Sequence, residues 1–426
     1  MNKTPKGNRL HIALFGRTNV GKSSLLNLIA GQDVAITSTL AGTTTDVVEK
    51  TMELLPIGPV VFLDTAGLDD HSALSELRLK KTAKIFDRTD VALLVTEADI
   101  WTEYEEKVLF AAAKLNIPLL VVINKIDVTS PSEDFKNKIN EKTPWLLSVS
   151  TTDRTGRDAF LDTLKRLLLE AVPDDIIKTP SLVGDLLSPK GIAVLVVPID
   201  LEAPKGRLIQ PQVQTIRDAL DNNAAALVVK ERELSSLLTR LKAPPQLVIC
   251  DSQAVLEVTT IVPRETPCTT FSILFARQKG DLNVAAAGAA AIETLKPGDK
   301  VLIAEACSHH PLQDDIGRVK IPRWLCEYVG EGLQIDVTAG RDYPVDLGKY
   351  RLIIHCGACM LTRREMLRRI HKAQEQRVPI TNYGLAISFT QGVIKRTLAP
   401  FPAALRFYER RMEEIGKSFP NEAGQS

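Results

Sequence analysis

Several short stretches near the amino terminus have the residue types and order that hold a nucleoside triphosphate. Gly16-Arg17-Thr18-Asn19-Val20-Gly21-Lys22-Ser23 fits G-x-x-x-x-G-K-[ST]. Its glycines let backbone N–H groups curl round phosphate oxygens, and Ser24 continues into a helix whose N-terminus favours anions. Lys22 is placed to reach the β- and γ-phosphates, and the Ser23 hydroxyl to hold Mg²⁺. Asp64-Thr65-Ala66-Gly67 offers a second Mg²⁺-associated carboxylate and, in the Gly67 N–H, a γ-phosphate contact. Asn124-Lys125-Ile126-Asp127 offers a carboxylate that accepts from guanine N1–H and N2–H₂, which adenine does not present. Ser150-Thr151 stands where a second base-contacting loop belongs, and Thr44 in Gly42-Thr43-Thr44-Thr45-Asp46 where a threonine reaches Mg²⁺ and the γ-phosphate. Lys22, Thr44, Asp64 and Gly67 are therefore the expected hydrolytic set.

A second constellation lies late in the chain. Cys307-Ser308-His309-His310 and His355-Cys356-Gly357-Ala358-Cys359 gather three of the six cysteines and three of the six histidines into two loops. A C-x-x-C pair grips one metal or one cluster corner. Three cysteines with nearby histidine fit Cys₃His zinc, or an iron–sulfur cluster with one weaker ligand. Asp314 is a further hard ligand for a labile corner.

Positioning these groups requires elements of the right kind. Apolar strand patterns at 10–15, 60–63, 91–95 and 119–123, separated by helix-length polar stretches and closed by a helix at 157–171, imply a parallel sheet with covered faces. The Pro- and Gly-bearing stretch 172–190 reads as a linker. A short second unit follows, with strands at 192–199, 225–229 and 247–251 and helices at 211–222 and 231–241. So small a core needs a neighbour or a second copy of itself. After a break at 263–267, a third unit opens with an expected strand at 271–276 and alternates again, with strands at 300–306, 333–338 and 351–355. Both cysteine loops then follow carboxyl ends of strands, where open parallel sheets bind ligands. The expectation is an α/β chain of three domains: a GTP-binding domain at 8–172, a small α/β domain at 181–262 and a second parallel-sheet domain at 268–416.

Bulk properties agree with a globular protein. Hydrophobic residues make up 44% and charged residues 25%, and 53 basic residues face 52 acidic ones. Such balance supplies no general attraction to nucleic acid or anionic membranes. No apolar run approaches the roughly 18 residues of a spanning helix, so a cytoplasmic location is expected. Cys250 and Cys326 read as packing residues, and Cys268 has no assigned role. The run Arg363, Arg364, Arg368, Arg369, His371 and Lys372 reads as a solvated basic helix face.

The stretch 8–171 resembles the TrmE/Era-like GTPases. In that class a hydrophobic residue follows D-x-x-G, and Leu68 stands there. The resemblance implies that no glutamine at that place positions water, and that Asn19 helps bind K⁺ in a slow, K⁺-stimulated GTP hydrolysis.

Over its whole length the chain resembles the [FeFe]-hydrogenase maturation GTPases of the HydF family. The resemblance rests on Cys307-Ser308-His309, a gap of 45 residues, and His355-Cys356-Gly357-Ala358-Cys359. It extends to Asp315-Ile316-Gly317, to Cys359-Met360-Leu361-Thr362-Arg363-Arg364-Glu365-Met366 and to Val378-Pro379-Ile380-Thr381-Asn382-Tyr383-Gly384. It implies a [4Fe–4S] cluster on Cys307, Cys356 and Cys359, with His309, His355 or Asp314 as the exchangeable fourth ligand. It implies a scaffold that carries a transient two-iron subcluster to the hydrogenase apoprotein, working with the radical-SAM maturases HydE and HydG. It also implies a homodimer formed through the middle domain; the balanced charge and the lack of a spanning run lead to the expectation of neither nucleic acid nor membrane as partner. The alternative is an RNA- or ribosome-associated GTPase with a structural zinc domain. Neutral charge and the lack of a recognisable RNA module weigh against it. A redox enzyme is the third reading; no second cofactor motif accompanies it.

Overall fold

The computed structural model describes residues 6–31, 48–65, 85–173, 180–198, 208–306, 315–340 and 343–418. The chain divides into two compact units, Met1–Thr179 and Pro180–Ser426.

The first unit is built on strands β1 (Leu10–Phe15), β2 (Val48–Leu54), β3 (Gly58–Asp64), β4 (Val91–Glu97), β5 (Leu119–Asn124) and β6 (Leu146–Ser148), with helices α1 (Lys22–Ala30), α2 (Glu103–Lys114), α3 (Glu133–Asn140) and α4 (Arg157–Ala171). The sheet order is β2-β3-β1-β4-β5-β6. All neighbours run parallel except β2, an edge strand antiparallel to β3 with Val48 opposite Asp64. Alternate residues of β1 feed two cores. Ile12 and Leu14 pack towards α1 and α4, while Ala13 and Phe15 pack towards α2 and α3. Burial on both faces explains why β1, β4 and β5 read as near-continuous apolar runs.

The second unit holds two parallel four-stranded sheets. One, ordered β10-β9-β7-β8, uses β7 (Ile192–Val196), β8 (Ala225–Val229), β9 (Leu247–Cys250) and β10 (Cys268–Thr270). The other, ordered β12-β11-β13-β14, uses β11 (Lys300–Ala304), β12 (Gln334–Thr338), β13 (Leu352–His355) and β14 (Ile380–Asn382). Helices α5 (Gln210–Asp221), α6 (Leu234–Arg240), α7 (Val255–Ile261), α8 (Phe271–Lys279), α9 (Leu282–Ala289), α10 (Ile321–Val329), α11 (Arg363–Glu375), α12 (Tyr383–Thr390), α13 (Ile394–Leu398) and α14 (Pro402–Ser418) complete it.

The expected strand at 271–276 is helix α8 instead. The Thr270 hydroxyl caps it by accepting the Ile273 N–H at 3.2 Å, and Phe271, Leu274, Phe275 and Gln278 recur at helical spacing on its buried side. The strand lies just before it: β10 pairs with β9, Cys268 opposite Val248. A strand from beyond the 263–267 break thus closes the sheet that precedes the break. One apolar core runs through the unit from Leu182 to Tyr408, which supplies the neighbour the small middle segment requires. The expected linker also contributes, because Leu182, Val183 and Leu187 are buried in that core.

Candidate functional site

The nucleotide loops gather at the carboxyl ends of β1, β3, β5 and β6. Gly16 has φ 150° and Gly21 φ 95°. A Cβ on Gly16 would run into the Val95 carbonyl, and one on Gly21 into the Asn124 amide. Only glycine therefore allows this path. Gly21 opens α1 with no side-chain cap and no acidic residue in the first turn, which leaves first-turn N–H groups for phosphate oxygens. The Lys22 ammonium donates to the carbonyls of Gly16 and of Arg17, the latter at 3.0 Å, and so lies across the loop. Ser23 and Ser24 are exposed at the helix start, and Ser23 Oγ donates to Asp64 Oδ2 at 3.2 Å. Two of the three expected Mg²⁺ residues are thus side by side. Asn19 sits in the same loop with φ 67°. Thr44 and Gly67 lie outside the described residues.

Asn124 is fully buried and ties three loops together. Its Nδ2 donates to the Val20 carbonyl at 2.8 Å, and its Oδ1 accepts the Thr151 N–H at 3.3 Å. Asp127 is exposed, and its carboxyl is held below the usual carboxylate range, chiefly by the Ser150 hydroxyl and then by its own backbone. Thr152 Oγ1 adds a bond to Asp127 Oδ2 at 3.1 Å. The Ser150 hydroxyl therefore favours the ionised form of Asp127. Thr152, Tyr104, whose hydroxyl oxygen accepts the Gly16 N–H, and Glu105, which accepts from Arg17 Nε, escaped the sequence reading. For the last two, the available signal was the helix-capping pair Thr102-x-x-Glu105.

The second constellation is described in half. Cys356 follows β13, and its N–H donates to the Ala304 carbonyl at 3.0 Å. Its Sγ accepts the Ala306 N–H at 3.0 Å. Ala358 takes φ 54°, which folds the C-x-x-C turn back on itself. Burial pushes the metal-free Cys356 thiol up to about 11. His355 is fully buried; burial, then Arg369, pulls it down to about 3, so the ring is neutral. Nδ1 lies 2.9 Å from the Cys356 carbonyl and Nε2 lies 3.0 Å from Arg369 Nη1. Arg369 can only donate, so Nε2 accepts and Nδ1–H donates. With both nitrogens engaged, His355 holds the cysteine loop in shape. Cys307, His309 and Asp314 lie outside the described residues, and no group of three metal-ligating side chains forms among the described ones.

The supposed solvated face of α11 is largely pinned. Arg363 Nη1 donates to the carbonyls of Gln278 at 2.6 Å and Gly280 at 3.1 Å. Lys372 reaches the Pro344 carbonyl at 2.9 Å. Arg369 and Lys372 stand 4.9 and 5.7 Å from the Tyr343 ring. The stretches 315–317 and 378–384 meet each other: a Cβ on Gly317 would strike Tyr383 Oη. Cys250 and Cys268 are fully buried on adjacent strands, so Cys268 is a packing residue too.

These loops on this sheet define a P-loop GTPase domain, and residues 11–125 match the family described as "50S ribosome-binding GTPase". The curated relatives include the tRNA modification GTPase MnmE of Prochlorococcus marinus. It is 36% identical over 159 residues, which are 36% of this chain and 34% of that protein. GTPase Der of Campylobacter jejuni is 32% identical over 167 residues, 38% of this chain and 36% of its own length. The chain thus spans about a third of the length of these relatives. Beyond the GTPase domain, residues 182–280 match the hydrogen maturase F dimerization domain and residues 283–400 its tetramerization domain. The chain belongs to the hydrogen maturase F family. The boundary between the two matched domains falls in the turn between α8 and α9, beyond the break at 263–267 read from the prolines.

Proposed function

We propose that this chain is a GTP-gated scaffold. It binds a [4Fe–4S] cluster through Cys307, Cys356 and Cys359 and carries a two-iron subcluster to [FeFe]-hydrogenase, working with HydE and HydG. The observation that carries the reading is the bond from the Ala306 N–H to Cys356 Sγ at 3.0 Å. Ala306 immediately precedes Cys307, so the third thiol belongs to the next residue along the chain. The donor set fits a cluster: soft thiolates from two loops at strand ends, with a backbone N–H already aimed at one sulfur. Bound there, the cluster supplies an inorganic platform with one exchangeable corner. His309 and Asp314 remain the leading fourth ligands, because His355 spends both ring nitrogens on protein partners.

In the nucleotide domain Lys22 leaves its carbonyl partners for the phosphates, Ser23 and Asp64 hold Mg²⁺, and Asp127 reads guanine. Mg²⁺ neutralises charge across the β- and γ-phosphates. Thr44 and Gly67 respond to the γ-phosphate, and Asn19 assists K⁺, so hydrolysis is faster in K⁺ than in Na⁺. The protein works as a homodimer or tetramer, with no membrane or nucleic-acid partner, in the cytoplasm.

Anaerobic purification followed by iron and sulfide analysis tests the cluster. About four of each per chain, lost in Cys307→Ser, supports it. A colourless, zinc-only protein supports the ribosome-associated alternative instead. Activation of hydrogenase apoprotein by wild type but not by Cys307→Ser tests the delivery.

A further inference from the structure

Arg17 occupies one of the unspecified positions of G-x-x-x-x-G-K-[ST], and nothing in phosphate binding demands an arginine there. Its surroundings are built. Nε donates to Glu105 Oε1 at 2.8 Å. Glu105 is fully buried, and its other oxygen accepts the Thr102 N–H at 2.8 Å and the Thr102 hydroxyl. That carboxylate is therefore fixed by the α2 capping box. The neighbouring Tyr104 Oη accepts the Gly16 N–H at 3.2 Å. On its other side Arg17 Nη2 stands 4.0 Å from Glu97 Oε2, at the end of β4. That nitrogen is buried and makes no hydrogen bond among the described residues. Glu97 Oε1 in turn pairs with Lys125 of the guanine-reading motif. Lys125 itself is held at φ 61°.

A chain of charge thus runs from a fixed point, Glu105, through the phosphate loop at Arg17, to Glu97 and on to the base loop at Lys125. We propose that Arg17 and Glu97 are positioning residues that couple the phosphate loop to the guanine loop, so that base recognition depends on an arginine of the phosphate loop. Glu97 is shared between two cations on different loops, and the Arg17 link is its longer contact. Movement of Lys125 over a bound base shifts Glu97, and the spare Arg17 donor meets it. Loss of Glu97 frees Lys125, and loss of Arg17 leaves Glu97 untethered from the phosphate loop; either lets Asp127 drift from the guanine amino group.

The inference rests on the guanine-nucleotide site proposed above. The test compares GDP with IDP, whose base lacks the exocyclic amino group that Asp127 accepts from. Binding of each to the full chain is measured by calorimetry for wild type, Glu97→Gln, Arg17→Gln and the double variant. Each single change is expected to reduce the GDP-over-IDP preference about threefold to tenfold, with the double no worse than the larger single. Arg17→Lys keeps the charge, loses the forked reach, and carries the same expectation. Equal weakening of GDP and IDP, or losses that multiply in the double variant, overturns the coupling. A wild-type protein that binds no GDP defeats the nucleotide site itself. A wild type that binds GDP, with variants of unchanged preference, defeats the coupling alone.

Discussion

Replacing Asn124 by alanine tests the nucleotide site at its most connected residue. The side chain reaches no solvent, and it joins Val20 of the phosphate loop, at 2.8 Å, to Thr151 of the base loop, at 3.3 Å. Alanine leaves a buried carbonyl without its donor and an N–H without its acceptor. An abandoned buried polar group costs about 1–3 kcal/mol, and the longer, partly exposed Thr151 bond belongs near the lower end, about 1 kcal/mol. Together the loss is about 2–4 kcal/mol. It is expected to reach nucleotide affinity, because phosphate and base recognition together require the two loops aligned. At about 1.4 kcal/mol per decade, GDP affinity should drop roughly 30- to 700-fold. Displacement of a fluorescent guanine nucleotide from the full chain measures it. Asn124→Asp keeps the acceptor for Thr151 but sets an oxygen against the Val20 carbonyl, so it should be no better than alanine. An alanine variant that binds GDP within about threefold of wild type refutes the reasoning, since about 0.7 kcal/mol cannot cover two abandoned groups.

Four further outcomes are expected. Gly21→Ala puts a Cβ into the Asn124 amide at φ 95°, and the backbone strain alone, about 1–2 kcal/mol, should weaken GDP about fivefold to thirtyfold in the same assay. Ser23→Ala removes the hydroxyl beside Asp64, so retention of GDP should need about ten times more Mg²⁺, read from release rates during a Mg²⁺ titration. Asp127 has a lowered pKa: its ionised form is favoured, and guanine binding is lost only as pH falls through that lowered value. Guanine preference should therefore stay flat from about pH 7 to about pH 5, and Ser150→Ala should move the acid loss to higher pH. Gly288→Ala drives a methyl onto the Ile380 backbone carbonyl. Overpacking of about 1–3 kcal/mol should lower the melting temperature of the second unit by several degrees, and an unchanged melt means α9 moves off β14 without penalty.

What the sequence discloses follows from where the chemistry is local. Phosphate and guanine recognition force fixed spacings within single loops, so Gly16 to Ser23 and Asn124 to Asp127 are readable, and the structure joins them through Asn124. The β2 strand was missed because an edge strand carrying Glu49, Lys50 and Glu53 lacks the apolar run of its central neighbours. Residues 271–276 read as a strand because a short apolar run does not reveal its period. The extra buried positions, Gln278 and Lys279, are polar and hid the helix. Strands β10 and β14 are three residues each, too short to show a pattern. The roles of Arg363 and Arg369 were unreadable for another reason: Arg363 meets a carbonyl 85 positions away, and Arg369 meets a histidine 14 positions away. A run of charge looks solvated until its distant partners are known.

Helix α8 gives the second unit a property that its division into modules conceals. It closes the segment matched to dimerization, yet Phe275 lies 3.8 Å beneath the position of a Cβ on Gly357 in the cysteine turn. Its Ser272 carbonyl accepts the Asn382 amide at 2.7 Å, and Arg363 seals its end. The helix that finishes one module is the floor of the next. The segment matched to dimerization and the cysteine turn therefore share a single stiff girder, and whatever tilts it at one end must be felt at the other.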